Sequence, residues 1–211
     1  MWPLMICSVV SLAVIILRGF ALRRNNVMPP AISKGIEELQ PVDDAEAIVK
    51  LARIVRGDQS ALGRIVKAGL QNLQWPKTEN IQAVETRARH EVVRLETGLV
   101  VLEVVVGIAP LLGLLGAVSG LRNVFGSFGA SSSINDPRGI ATGISEALTT
   151  TIAGLAIAIP SLIAYSYFAK KIETMSAEIE SLISELLAKC YYQKWRTQGV
   201  RPPSDEVEEV L

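Results

Sequence analysis

Three runs of this sequence are apolar over lengths that match the hydrocarbon thickness of a lipid bilayer. They cover residues 2–17, 98–121 and 147–169. The second run contains one charged residue, Glu103. At about 1.5 Å per residue, the uncharged part of the second run (104–121) would span roughly 27 Å and the third run roughly 35 Å. Backbone polar groups in lipid must be paired within their own segment, so all three runs are predicted to be α-helices.

Composition supports a membrane protein. The 211 residues are 49% hydrophobic with a formal net charge of zero, and the mean hydropathy is +0.34. Zero net charge gives no support to nucleic-acid binding, which usually needs a basic surface. No positive charge beyond the terminus precedes the first run and no small-residue cleavage site follows it, so a retained span is favoured over a signal peptide. We predict an all-α integral membrane protein with three transmembrane helices.

The reactive residues are few. The chain has one histidine, His90, and two cysteines, Cys7 and Cys190. These are too few for a Cys/His zinc cluster or a disulfide framework, so we predict free thiols, no metal site and no cofactor. The sequence shows no nucleophile–base pair and no phosphate-binding loop, and we predict that the protein is not an enzyme.

Lys and Arg near the span ends predict the orientation. The basic residues at 18, 23, 24, 87, 89, 94, 170 and 171 fall on one side of the membrane if the N-terminus lies outside; Arg122 and Arg138 are the exceptions. The predicted division is a first transmembrane helix (1–20), a cytoplasmic helical domain (21–96), a second transmembrane helix (97–125), a short periplasmic loop (126–138), a third transmembrane helix (139–169), a cytoplasmic amphipathic helix (170–198) and a disordered acidic tail (199–211).

Several helices are predicted for the cytoplasmic part. One is capped by Asp43 or Asp44 and ends at Arg56, and a second covers 58–73. We expect a helix capped by Thr78 to run without interruption into the second span, so that the second and third transmembrane helices are both long and extend into the cytoplasm. After the third span, a narrow apolar seam is predicted to pack against another cytoplasmic helix; it comprises Ile172, Met175, Ile179, Leu182, Leu186 and Cys190.

Small residues form a stripe on each of the last two spans, which lets helix backbones approach closely in lipid. The stripes are Gly113, Gly116, Ala117 and Gly120 on the second span, and Gly143, Ala147, Thr151, Gly154 and Ala158 on the third. A packed helix bundle would explain both stripes without any further function.

Two intramembrane carboxylates suggest more than packing. Glu103 lies on one helix face with Pro110 and Ala117, and Glu146 is expected to share a face with Thr149 and Thr150. Such groups either reach the headgroup layer or face a protein interior or wet cavity. Three helices cannot enclose a polar cavity, so a cavity would require several copies in closed cyclic symmetry.

The segments APLLGLLGAVSGL and GISEALTTTIAGLAIAIPSLIAY, joined by a short loop, resemble the MotA/TolQ/ExbB proton-channel family, closest to its ExbB and TolQ branch. The resemblance is close from Leu95 to Lys171. It implies a homo-pentamer in the bacterial inner membrane whose second and third spans line a pore around the single spans of two ExbD/TolR-like partner chains. Proton flow would then drive work on the cell envelope, through a TonB- or TolA-like protein, in TonB-dependent import or a Tol-Pal type system.

The resemblance also assigns roles to residues. Thr151 matches the pore threonine of the third span, and Glu146 the glutamate of the G-I-x-E-A-L motif. Ala117 stands where ExbB and TolQ have a threonine. The MotA branch has an alanine at the equivalent place. The predicted pore-lining residues are Thr151, Ala117, Ala147, Gly154 and Pro110, and Glu146 and Glu103 are the predicted carboxylates of the proton pathway or the assembly. The alternatives are an oligomeric membrane scaffold that conducts nothing and a motility-type stator of the same family.

Overall fold

The computed structural model describes residues 2–39, 45–128 and 137–198, and these ranges contain α-helices and no strand. The helices are α1 (Trp2–Ala21), α2 (Arg24–Val27), α3 (Pro30–Glu37), α4 (Ala45–Arg56), α5 (Ala61–Gln71), α6 (Lys77–Glu96), α7 (Leu99–Phe128) and α8 (Pro137–Gln198). Three of them, α1, α7 and α8, are long and apolar enough to cross a membrane. The predicted all-α class with three apolar spans is confirmed. The predicted caps at 43 and 44 and the tail at 199–211 lie outside the described residues.

The chain forms two compact units. Met1–Phe20 and Glu96–Lys170 make up the first, here called the membrane unit because it holds the apolar helices. Ala21–Leu95 and Lys171–Leu211 make up the second, here called the helical unit. The long helix α8 contributes to both units and continues through Pro160.

The core of the helical unit is formed by apolar stripes on α3, α4, α5 and α6 and by the apolar seam predicted for α8. Full burial of each large side chain contributes about 1.5–3 kcal/mol. The prediction for the seam is confirmed, and the buried face is wider than predicted. Fully or nearly fully buried side chains include Ile32, Ile36, Leu51, Leu62, Ile65 and Val66 from the short helices and Met175, Ile179, Ile183, Leu186, Leu187 and Cys190 from α8.

Two polar contacts bind the short helices to α8. Lys189 Nζ donates to the carbonyl oxygens of Ile36 and Glu37 at 3.0 Å each, and so satisfies acceptors that the end of α3 leaves without an intrahelical partner. Arg24 of α2 pairs with Glu178 at 2.9 Å. The last part of α8 therefore serves as the element on which the N-terminal helices are assembled.

The start of α5 differs from the prediction. The helix was expected from residue 58 but begins at Ala61, because the Ser60 side chain caps it by accepting a hydrogen bond from the Gly63 N–H at 3.0 Å. Asp58 lies outside the helix, where its carboxylate accepts from the Ser60 N–H at 2.5 Å. Ser60 was the signal that could have placed this boundary correctly.

The expectation of an uninterrupted helix into the second span is wrong. Helix α6 begins at Lys77, so Thr78 lies inside it, and it ends at Glu96, before α7 begins at Leu99. Gly98 has a φ of +94°, a backbone conformation that residues with a Cβ rarely adopt. The Arg18 side chain packs against this glycine: a Cβ built there would lie 2.6 Å from Arg18 Nη2. Of the second and third membrane-spanning helices, only α8 continues without a break beyond its apolar segment.

Candidate functional site: the glycine-packed helix pair

Helices α7 and α8 approach each other closely enough for their backbones to touch. A Cβ built on Gly154 would lie 2.6 Å from the carbonyl oxygen of Ala109, and one built on Gly113 would lie 3.0 Å from that of Thr150. Further along, a Cβ on Gly120 would lie 3.3 Å from Ala147 Cβ. The two small-residue stripes predicted from the sequence therefore meet each other within one protomer, as the packing of helices in lipid requires.

The predicted pore residues lie on or beside this contact. Ala147 is 3% exposed and Ala117 is 9% exposed in the single protomer, and Gly154 is buried. Thr151 is half-buried, with its Oγ1 3.5 Å from the Gly113 carbonyl oxygen, which is at the outer limit of a hydrogen bond. Pro110 is half-buried within α7. A pore-lining role for these residues stays a prediction.

The carboxylate of Glu146 lies on a different side of α8. Glu146 and Thr149 are both exposed, and they line a shallow open depression of about 440 Å³ together with Ala141, Thr142 and Ser145. Their predicted common face is confirmed. Thr150, which was expected there as well, is half-buried and turned toward α7, where its Cγ2 would lie 2.4 Å from a Cβ built on Gly116.

The structure does not bring the two predicted carboxylates together. Glu103 is exposed on α7, ten residues before Gly113, whereas Glu146 is five residues before Thr151, which packs beside Gly113. The two helices run antiparallel, so Glu103 and Glu146 lie about 22 Å apart along the helix axes. In the described residues neither one forms an ion pair, and no group of histidine, cysteine, aspartate and glutamate side chains is placed to hold a metal ion.

Sequence reasoning missed a pair of hydroxyls between α1 and α8. Ser11 Oγ lies 2.6 Å from Ser161 Oγ, and both residues are buried. Ser161 donates its single hydroxyl hydrogen to the Ile157 carbonyl oxygen at 2.7 Å, so Ser11 is the donor to Ser161. The only signal in the sequence was a serine inside each apolar run. Nearer the start of α1, Leu4 packs with Val105, Ala109 and Ala158.

A buried charge network in the helical unit was also missed. The Glu91 carboxylate is 2% exposed and pairs with Arg64, whose Nε donates to Oε1 at 2.8 Å, and with Arg87 at 2.9 Å. Burial raises the pKa of Glu91, but the hydrogen bond from Arg64 and the charges of Arg64, Arg87 and Arg94 outweigh that effect, and the net pKa is lowered. Both predicted thiols are free, and burial raises the pKa of Cys190 to about 11.

The fold and the site define a helical membrane protein with several spans, in which two apolar helices pack through glycine and carry a threonine at their contact. Residues 58–181, more than half of the chain, match the MotA/TolQ/ExbB proton channel family. The chain belongs to this family and to its ExbB branch. It is a membrane-embedded protein of the transport and channel type.

Individual relatives agree with the family match. Over 203 residues the chain is 30% identical to the putative biopolymer transport protein ExbB-like 1 of Synechocystis sp., covering 92% of this chain and 76% of that protein. It is 30% identical to the biopolymer transport protein exbB1 of Vibrio cholerae over 162 residues, or 76% of this chain and 71% of that one. The biopolymer transport protein ExbB of Helicobacter pylori is 42% identical over 82 residues, or 39% and 56% of the two chains.

Proposed function

We propose that this chain is the multi-span subunit of a proton-driven motor in the bacterial inner membrane, with its N-terminus in the periplasm and its C-terminus in the cytoplasm. It works with a single-span ExbD/TolR-like partner and transmits the energy of proton flow to the cell envelope through a TonB- or TolA-like protein. The observation that carries the proposal is Thr151, held at the glycine-packed contact of α7 and α8 inside the segment that matches the proton-channel family.

Thr151 has suitable chemistry for such a site. A threonine hydroxyl both donates and accepts hydrogen bonds, but it does not titrate. Its Oγ1 is only loosely engaged, 3.5 Å from the Gly113 carbonyl oxygen, and it remains half-buried rather than sealed. Thr151 can therefore exchange this contact for one with water or with a titrating aspartate of the partner.

The energy of proton movement is sufficient to drive motion of a helix if the moving charged group is neutralised while it passes through the membrane. Moving one proton down 100 mV is worth about 2.3 kcal/mol. That energy can bias a helix rotation when an aspartate must be protonated to pass an apolar wall. The exposed apolar side chains of α7 and α8, such as Leu111, Leu114, Leu155 and Ile159, supply apolar surface for such a wall or for lipid.

A closed ring of copies, a pentamer in this proposal, completes the pore. The described part of one protomer holds three helices apolar enough to cross a membrane, and three helices cannot surround a polar path. In a ring with closed cyclic symmetry, every copy forms the same interfaces with its neighbours. The mass of the purified complex, measured by native mass spectrometry in detergent, gives the number of copies directly.

The test is proton flux in proteoliposomes that contain this chain and an ExbD/TolR-like single-span protein from the same organism. We expect flux from the complex, and a loss of at least about tenfold in both Thr151→Val and Glu146→Ala, because the first removes a hydroxyl at the helix contact and the second removes a carboxylate from the span. Thr86→Val is the matched control, since Thr86 is an exposed helical threonine of the other unit. Unchanged flux in both variants contradicts the assignment of these residues. No flux from the wild-type complex favours a non-conducting scaffold.

A further inference from the structure

Helix α1 contacts the rest of the membrane unit along one face. Leu4 and Ser11 are its buried residues, and Arg18 packs against Gly98. Leu4, Ser11 and Arg18 follow one another at seven-residue spacing, so they lie on one side of the helix. Val9, on the opposite side, is 67% exposed. Helix α1 is therefore attached through a narrow seam with Ser11 at its centre.

The partner of Ser11 lies at a weak point of α8. Ser161 follows Pro160, which lies inside the helix. Proline has no N–H, so the Ala156 carbonyl oxygen cannot receive the usual helical hydrogen bond from residue 160. Ser161 Oγ donates to the Ile157 carbonyl oxygen at 2.7 Å, and a serine that bonds to its own helix in this way tends to bend it. Two adjacent residues therefore weaken α8 at the same turn.

Helix α1 supplies a polar contact at this turn. The Ser11 hydroxyl donates to Ser161 Oγ at 2.6 Å, and the two residues are 4% and 1% exposed. A proline is tolerated within a membrane helix where neighbouring helices and serine side chains provide replacement contacts. The hydrogen bond between α1 and α8 thus lies where α8 most needs support from outside.

From this juxtaposition we propose that the Ser11–Ser161 hydrogen bond is a clasp that holds α8 at its proline, so that α1 and α8 stay joined and move as one body. Ser11 is then a positioning residue for α8. Thr151 lies about 15 Å from Ser161 along the same helix, so the clasp also limits how far the threonine can turn. The attachment follows from the contacts of one protomer, whereas its part in transport rests on the proposed channel function.

Thermal unfolding of the full chain in detergent tests whether the clasp supports the proline. Ser11→Ala should lower the midpoint by about 1–3 °C, as expected for one hydrogen bond between membrane helices. Ser8→Ala is the matched control, because Ser8 is an exposed serine of the same helix, and it should change the midpoint less. In a Pro160→Ala background the loss from Ser11→Ala should fall to less than about half, since the two sites are coupled. An equal loss in both backgrounds overturns the role of the clasp at the proline.

Disulfide formation tests whether the two helices stay joined in the assembled complex. Ser11→Cys with Ser161→Cys places two sulfurs within bonding reach, because the hydroxyl oxygens are 2.6 Å apart. Cys7→Ala and Cys190→Ala first remove the native thiols. Membranes that contain this chain and an ExbD/TolR-like protein are oxidised with copper phenanthroline, and the remaining thiols are counted in SDS with a mass-tagged maleimide. The control pair is Ser11→Cys with Leu162→Cys, because Leu162 is the next residue and is 49% exposed.

We expect the 11/161 pair to lose its free thiols at least about tenfold faster than the 11/162 pair, because disulfide geometry is specific. Equal rates overturn the attachment. In proteoliposomes, the oxidised 11/161 protein should carry as much proton flux as the same protein after reduction, because a clasp that stays closed can be made covalent without loss. A loss of flux on oxidation that reduction restores overturns the movement as one body. Absent flux in the wild type rejects the proposed function, and crosslinking and unfolding then decide the clasp by themselves.

Discussion

At the scale of single residues, Glu91 shows how one charge can hold a small domain together. Its carboxylate is almost fully buried and joins α6 to Arg64 of α5 through two hydrogen bonds. Removing one partner of such a pair leaves the other charge without compensation, which costs more than the pair itself contributes. Arg87 pairs with the same carboxylate but is 42% exposed, so water can replace that contact.

We therefore expect Glu91→Gln to destabilise the full chain by about 1–3 kcal/mol, because it removes the buried charge that pairs with Arg64. Arg87→Ala is the control and should cost less than about 1 kcal/mol. Thermal unfolding in detergent, followed by circular dichroism, measures both. Equal midpoints for the two variants would contradict the ranking.

The lowered pKa of Glu91 gives this prediction a dependence on pH. A carboxylate with a lowered folded-state pKa contributes stability above its ordinary pKa of about 4.3 and loses it as the pH falls through the folded value. The difference between wild type and Glu91→Gln should thus be full at pH 7 and should shrink below about pH 4. A difference in stability between the two proteins that grows as the pH falls would contradict this prediction.

At the scale of elements, the contact between α7 and α8 depends on glycine at one position and not at another. A Cβ on Gly154 would meet backbone atoms that cannot move aside independently: the Ala109 carbonyl oxygen at 2.6 Å and Gly113 Cα at 3.1 Å. A Cβ on Gly107 of α7 would meet nothing within 4 Å. The two glycines look alike in the sequence but differ in what surrounds them.

Gly154→Ala should therefore push the helices apart and destabilise the protein by about 1–3 kcal/mol, the usual cost of overpacking. Gly107→Ala should be neutral or slightly stabilising, because alanine is the better helix former. The midpoint of thermal unfolding in detergent and the flux of the reconstituted complex provide the measurements. Equal tolerance of both substitutions would mean that the backbones do not touch as described.

At the scale of the whole molecule, the distribution of Lys and Arg predicts which segments share a side of the membrane. With three spans, we expect a green fluorescent protein fused after Gln198 to fluoresce in the cytoplasm. Alkaline phosphatase inserted within residues 129–136 should be active in the periplasm. The same enzyme inserted at Gly57, between α4 and α5, is the control and should be inactive. The reverse pattern of activities would show that the orientation in the membrane is opposite to the proposed one.

Much of this protein could be predicted from local patterns. Uncharged runs of sufficient length predicted the three apolar helices, and residues at three- and four-residue spacing predicted both the seam of α8 and the small-residue stripes. These patterns are local because a helix places its side chains by position alone. The start of α5 was predicted at residue 58, whereas the Ser60 side chain caps a helix that begins at Ala61.

The remaining features depend on contacts between residues far apart in sequence. The sequence by itself determined the helices and their apolar faces, since bilayer thickness and helical periodicity leave few alternatives. Only the tertiary structure decided that α6 ends before Gly98, where Arg18 packs, and that Thr150 faces α7 while Glu146 and Thr149 do not. It alone paired Ser11 with Ser161 and Glu91 with Arg64. A side chain's partner across a helix contact is set by how the helices meet, and no spacing along one helix contains that information.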